Sequence, residues 1–150
     1  MLPTCRELGI CVLAYSPVGR GLLTGAPTLH DDVKAAGPMG GADFRATSPR
    51  FSPEAVAANA KLVAALHAAA KDKGCTPSQL ALAWVHAQGT DIFPIPGTTK
   101  IKHVKDNLGA LGVAMTKAEA DALAEKVSAA EVAGARYPAH GMAGTHEAMP

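Results

Sequence analysis

Two short apolar runs, Ile10–Tyr15 and Ile92–Ile95, divide the chain into repeating units. Neither run alternates between hydrophobic and polar residues, and strands that are buried on both faces of a parallel sheet have this pattern. Longer segments with apolar residues every three or four positions, which is the spacing of amphipathic helices, follow each run. The pattern therefore predicts two buried strands, each followed by a loop and by helices.

Three helix starts have specific sequence signals. Ser52 and Pro53 begin a long helix that Gly74 ends, and Thr76 and Thr116 each open a capping-box pattern. A fourth, short helix is predicted in KIKHVKDNLGAL, ending near residue 109. The predicted buried positions are Val56, Ala60, Val63, Leu66 and Ala70 in the long helix, Leu80, Ala83, Trp84 and Ala87 in the next, and Ala120, Leu123, Ala124 and Val127 in the last.

The segments outside these elements are rich in glycine and proline. Residues 16–50 are predicted to form a long surface loop with short helical turns, and the chain after residue 130 is predicted to lack regular structure. Strands that alternate with helices indicate parallel βα units. Since two parallel strands cannot enclose a core, we expect this chain to be part of a larger sheet.

Composition narrows the range of partners and compartments. The chain has 150 residues and a net charge of +1, so it lacks the field that draws a protein to nucleic acid or anionic lipid. No apolar run approaches the ~20 residues of a membrane span, and we predict no membrane partner. Cys5, Cys11 and Cys75 form no paired pattern, which favours a reducing cytoplasm. His140 and His146 are interpreted as solvated tail residues, so no metal site is predicted.

The loops that follow the two strands are the candidate ligand-binding site. Both contain glycine, serine or threonine with basic residues, and ligands bind at the carboxyl ends of strands in α/β folds. Lys100, Lys102, His103 and Lys105 crowd the start of the short helix, where cations oppose the helix dipole. A solvated basic face and a bound anion both explain this charge. We favour an anion such as phosphate.

Several segments together resemble the C-terminal half of aldo-keto reductases. They are LPTCRELGICVLAYSPVGRGLLTG, DFRATSPRFSPE, GCTPSQLALAWVHAQGTDIFPIPGTTKIKHVKDNLGAL and RYP, in the family's order and spacing up to about Pro138. The resemblance implies an α/β fold, namely the incomplete C-terminal portion of a (β/α)8 TIM barrel. Residues 1–138 would then hold βα units 7 and 8 with their cofactor loops, and residues 139–150 a flexible tail.

The same resemblance assigns binding roles for NADP(H). Tyr15 resembles the aromatic residue that stacks on the nicotinamide, and Asn107 the residue that contacts adenine. The pyrophosphate loop corresponds to Ser16, Val18, Gly19 and Arg20, and the segment for the adenosine 2′-phosphate to Gly97, Thr98, Thr99 and Lys100. His103 stands where many members have arginine, and a neutral imidazole is a weaker phosphate partner than a guanidinium.

The family transfers a hydride between the nicotinamide and a small aldehyde or ketone. Its catalytic Asp, Tyr, Lys and His lie upstream of the motif YSP, so no catalytic residue is assigned in this chain. We expect the reading frame to continue upstream of Met1 and the isolated chain to be inactive. Two alternatives remain open: a non-catalytic NADP(H)-binding half-barrel, which self-associates through sheet edges or docks with a separate N-terminal half, and a fragment without independent function.

Overall fold

A computed structural model describes residues 1–25, 43–127, 132–143 and 145. Its helices and strands follow one another along the chain as α1 (Leu2–Glu7), β1 (Val12–Tyr15), α2 (Pro53–Lys73), α3 (Pro77–His86), β2 (Ile92–Ile95), α4 (Ile101–Gly109), α5 (Lys117–Lys126) and α6 (Ala139–Met142). Short 3₁₀-helical turns occupy Gly19–Thr24, Phe44–Thr47, Pro49–Phe51 and Ala110–Gly112. The predicted order of strands and long helices is confirmed.

The two strands form a parallel pair, as predicted. Val12 lies opposite Ile92, and Tyr15 lies opposite Ile95. The prediction that the strands are buried on both faces is wrong, because Leu13 is 62% exposed while Ile92 is buried. Helix α3 packs against β2, whereas the opposite face, which carries Leu13, is largely exposed.

Helices α2, α3 and α5 enclose the larger of the two apolar clusters that the described residues form. Leu66 and Ala70 from α2 meet Leu80 from α3 and Leu123 from α5. Trp84 packs against this cluster, and its indole Nε1 donates a hydrogen bond of 2.9 Å to the carbonyl oxygen of Ala120. The interpretation of Trp84 as a core residue is therefore confirmed.

The buried face of α2 differs from the predicted stripe. Ala60 is exposed, and Val56 and Val63 are only half-buried. The buried positions of the helix are Ala55, Asn59, Leu62, Leu66 and Ala70. The buried face is rotated relative to the predicted stripe because the polar Asn59 points inward. There its side-chain amide forms hydrogen bonds with the backbone of Ala133. In the same way, Ala124 is exposed on α5, and Ala87 is half-buried at the end of α3.

Both chain ends contain helices that the sequence patterns did not predict. Helix α1 precedes the first strand, and Arg6 from it forms an ion pair of 2.8 Å with Asp91 just before β2. The predicted flexible tail contains α6, which starts when the carbonyl oxygen of Pro138 accepts a bond of 2.8 Å from the Gly141 amide. Parts of the predicted loop and tail lie outside the described residues, namely residues 26–42, 128–131, 144 and 146–150, which include His146.

The ion pair between Lys73 and Glu119 makes the stability of the fold depend on pH in the acidic range. Bonds from Lys73 and from Thr116 lower the pKa of Glu119 from its ordinary value of 4.5 to about 2. A lowered folded-state pKa stabilises the protein above pH 4.5, and this contribution is lost as the pH falls toward 2. We expect Glu119→Gln to flatten the pH dependence of the melting temperature in this window. An unchanged acid dependence in the variant, measured by thermal circular dichroism, would contradict this assignment.

Candidate functional site

The loop after β1 has an unusual backbone. Ser16 has a φ of 53° and Arg20 a φ of 59°, in the left-handed region that side chains other than glycine rarely adopt. Gly19 and Gly21 take positive φ values as well. The Gly19 amide donates to the carbonyl oxygen of Ser16 at 2.9 Å, which closes the turn. Strained backbone of this kind at the end of a strand is typical of functional loops.

The loop after β2 is open to solvent. Gly97, Thr98, Thr99 and Lys100 are all exposed, and a Cβ atom built on Gly97 would meet no described atom within 4 Å. The Thr98 hydroxyl accepts a bond of 3.1 Å from the Lys100 amide and lies 3.5 Å from Nδ1 of His103. The loop therefore presents hydroxyl groups, backbone and cationic side chains to the same solvent region.

The register of the sheet brings the two loops to one edge. Tyr15 and Ile95 are partners at the ends of their strands, so the segments that follow them leave the sheet side by side. Helix α4 starts from this edge, and its first turn has the sequence IKHV, without an acidic residue. The helix dipole and the adjacent cations together make this edge attractive to an anion.

Asn107 lies one turn further along α4, beside an apolar groove of about 240 Å³. Pro94 and Pro96 from the second strand and its loop line the groove, together with Thr98 and Leu82. Asn107 itself is half-buried. The groove thus offers apolar walls and an amide at its margin, which suits a flat, partly polar ring.

The Arg20 side chain points toward Arg136 and Tyr137, in the C-terminal part of the chain. Its guanidinium carbon lies 4.5 Å from the centre of the Tyr137 ring and 5.5 Å from that of Phe44. One guanidinium nitrogen donates to the carbonyl oxygen of Arg136 at 3.0 Å. The carbonyl oxygen of Arg20 in turn accepts a bond of 3.2 Å from Arg45. These contacts fix the left-handed conformation of Arg20.

Tyr15 is 47% exposed and contacts the same distal segment. Its hydroxyl lies 3.1 Å from that of Tyr137, and the Arg136 guanidinium lies 4.6 Å from the centre of its ring. In the neutral pair the Tyr137 hydroxyl donates to the Tyr15 hydroxyl. When Tyr137 ionises, the Tyr15 hydroxyl donates to its phenolate, so the bond raises the pKa of Tyr15 and lowers that of Tyr137. The neighbouring guanidiniums of Arg20 and Arg136 also favour the phenolate.

These distal partners are the part of the site that sequence patterns missed. Phe44, Arg45, Arg136 and Tyr137 follow no hydrophobic period, and Asn59 is absent from the predicted apolar stripe of α2. The sequence did offer one signal for Asn59, since it is the single polar residue in the series 55, 59, 62, 66 and 70. The tripeptide RYP marked the distal segment only through its resemblance to the family.

The sequence of this chain is similar to those of known proteins. Residues 1–128 match the model of the Aldo/keto reductase family. The chain belongs to the aldo/keto reductase family. The aldo-keto reductase yakc [NADP(+)] of Schizosaccharomyces pombe (strain 972) is 44% identical to it over 138 residues. That alignment covers 92% of this chain and 39% of the relative, so the chain spans about two-fifths of the relative's length.

Two further properties of this aldo/keto reductase chain concern only the part that the structure describes. There, no group of three or more His, Cys, Asp or Glu side chains is arranged to hold a metal ion. No helix among the same residues has the length and apolar character needed to cross a membrane.

Proposed function

We propose that this chain forms the cofactor-binding part of an NADP(H)-dependent aldo/keto reductase, as the C-terminal portion of a (β/α)8 barrel. The whole protein would act as an oxidoreductase on a small aldehyde or ketone, with the nicotinamide supplying or accepting the hydride. The observation that carries the proposal is the pair of glycine-containing loops that leave adjacent parallel strands at one edge of the sheet. The name of the fission-yeast relative, which specifies NADP(+), supports this cofactor.

We assign the adenosine end of the cofactor to the second loop and α4. Gly97, Thr98, Thr99 and Lys100, with His103, would hold the 2′-phosphate, since hydroxyls, exposed backbone and cations bind phosphate together. Asn107 would contact the adenine from the margin of its groove. The first turn of α4 has no carboxylate to repel the phosphate, so the residues present fit the group.

We assign the nicotinamide end to the first loop. Tyr15 would stack on the ring with the part of its side chain that remains exposed. Ser16, Val18, Gly19 and Arg20 would wrap the pyrophosphate, which the positive φ values make possible by turning the loop tightly. In the structure the Arg20 guanidinium packs on the Tyr137 ring. We therefore expect the backbone of Arg20 to be part of its contribution to the pyrophosphate loop.

The open face of the sheet favours a second candidate function. Leu13, Tyr15, Phe93 and Ile95 form this face, and all of them are exposed. Such an apolar face needs a covering layer. The chain would then be a non-catalytic NADP(H)-binding half that depends on an N-terminal half for the proton donor and for completion of the barrel. Self-association of the chain through the exposed side edges of its two-stranded sheet also stays a prediction.

Cofactor binding by the chain itself tests the proposal. We expect NADPH to bind about tenfold more tightly than NADH, because only NADPH carries the 2′-phosphate that the cation of Lys100 would neutralise. Titration followed by cofactor fluorescence measures both affinities. Equal affinities would refute the 2′-phosphate assignment, and no binding of either cofactor would refute cofactor binding by this chain. Carbonyl reduction by the chain alone would exclude the non-catalytic alternative.

A further inference from the structure

A short stretch near the end of the chain, residues 132–137, lies against the loop that follows β1. We call it the closing segment. Its first anchor is the side chain of Asn59, which is only 1% exposed in the second turn of α2. The Asn59 amide donates to the carbonyl oxygen of Ala133 at 3.0 Å and accepts from the Ala133 amide at 2.8 Å. Because the buried amide both donates to and accepts from the backbone of the same residue, it fixes the position of that residue.

The second anchor of the closing segment is Gly134. Arg50 donates a bond of 3.2 Å to its carbonyl oxygen. Gly134 has a φ of 82°, and a Cβ atom there would lie 2.6 Å from the Cα atom of Arg50 and 2.7 Å from the carbonyl oxygen of Pro49. Because those neighbours are backbone atoms, any side chain at this position would push the segment away from residues 49–50.

The far end of the closing segment reaches the loop after β1. Arg136 accepts a hydrogen bond from Arg20 through its carbonyl oxygen and covers the Tyr15 ring with its guanidinium. Tyr137 lies under the Arg20 guanidinium and hydrogen-bonds to the Tyr15 hydroxyl. Tyr15 at the end of β1 and Arg20 in the loop after it are therefore held by residues that lie more than 110 positions away in the sequence.

We propose that Asn59 is a positioning residue, which fixes the closing segment and through it the ring of Tyr15 and the backbone of Arg20. Tyr15 lies on the open face of the sheet, where Ile95 is its partner across the strands. The closing segment supplies the polar contacts that hold the ring in one orientation. The value of that orientation for a nicotinamide ring rests on the proposed function, whereas the mechanical link from Asn59 to Tyr15 does not.

A tyrosinate titration tests the mechanical link without any cofactor. The chain has two tyrosines, Tyr15 and Tyr137, so ultraviolet absorbance reports on this pair alone. In the original chain we expect two separate steps, one below and one above the ordinary value of 10.0, with Arg20 and Arg136 as the charged groups that face the pair. In Asn59→Asp, which removes the amide donor, the steps should converge toward that ordinary value.

Gly134→Ala keeps the test decisive if Asn59→Asp fails to fold, since Gly134 is exposed and lies outside the core. It should make the two steps converge in the same way. Gly112→Ala is the matched control, because a Cβ atom there would meet no described atom within 4 Å. Separate steps that persist in Gly134→Ala, with native circular dichroism, would overturn the proposal. Converged steps in the Gly112→Ala control would overturn it as well.

A parallel titration with NADP⁺ separates this inference from the proposed function. If the original chain binds NADP⁺, Gly134→Ala should weaken the affinity by about tenfold, which corresponds to the contribution of roughly one hydrogen bond. An unchanged affinity would show that the closing segment does not position Tyr15 for the cofactor. If the original chain binds no NADP⁺, the proposed cofactor role fails, while the tyrosinate result still decides whether Asn59 holds the pair.

Discussion

Replacement of Leu80 by alanine should lower the free energy of unfolding by about 2–5 kcal/mol, because it removes buried methyl groups and leaves a cavity. Leu80 is 2% exposed and joins α3 to Leu66 and Ala70 on α2 and to Leu123 on α5. A loss of this size is a large part of the total stability of a typical domain, about 5–15 kcal/mol. Urea unfolding followed by circular dichroism measures it through the shift of the midpoint.

The effect should reach the candidate site as well. Gln79, the neighbour of Leu80, donates a bond of 3.1 Å to the carbonyl oxygen of Asp106 and thereby attaches α3 to α4. Leu8→Ala is the matched control, since Leu8 is 68% exposed, and its cost should stay within about 0.5 kcal/mol. Equal losses in the two variants would mean that the cluster around Leu80 does not carry the stability of the fold.

The parts of the fold that the sequence predicted well depend on neighbouring residues. Thr76 and Gln79 form both bonds of their capping box, as do Thr116 and Glu119. These signals act within one turn of helix, so they are readable without knowledge of the tertiary structure. The predicted bounds of the second strand are confirmed for the same reason, because the turn signals around Ile92–Ile95 are local.

The parts that the sequence did not predict depend on residues far apart along the chain. Asn59 is buried because of Ala133, which lies 74 positions away, and Tyr15 meets Tyr137 across 122 positions. Hydrophobic periodicity contains no information on such pairs, and it treats a buried amide as an outward residue. The exposure of Leu13 has a similar origin, since burial of a strand face depends on layers outside its own sequence.

The roles of the candidate cofactor residues depend on a different kind of argument. The basic residues around the start of α4 indicated an anion from charge and helix dipole alone. The choice of a 2′-phosphate, and the roles of Tyr15 and Asn107, came only from the resemblance to the family. The structure adds geometry to these roles, such as the groove beside Asn107, and they stay predictions until a cofactor titration tests them.

Lys100→Glu should weaken NADPH binding by about tenfold to hundredfold, because a bond between a charged side chain and a phosphate contributes about 1.5–3 kcal/mol. Lys100 lies immediately before α4, where its amide is held by the Thr98 hydroxyl at 3.1 Å. A carboxylate in its place would repel the phosphate and remove the cation together. The affinity for NADH, which lacks the 2′-phosphate, should change far less.

Lys61→Glu is the matched charge reversal, since Lys61 is exposed on α2 and is not one of the assigned cofactor residues. It should leave the affinities for NADPH and NADH close to those of the original chain. Added salt should reduce the difference between Lys100→Glu and the original chain, because an exposed ion pair is screened by mobile ions. If Lys100→Glu weakened NADPH and NADH equally, the residue would act on the fold or on the pyrophosphate, and the 2′-phosphate would have to bind elsewhere.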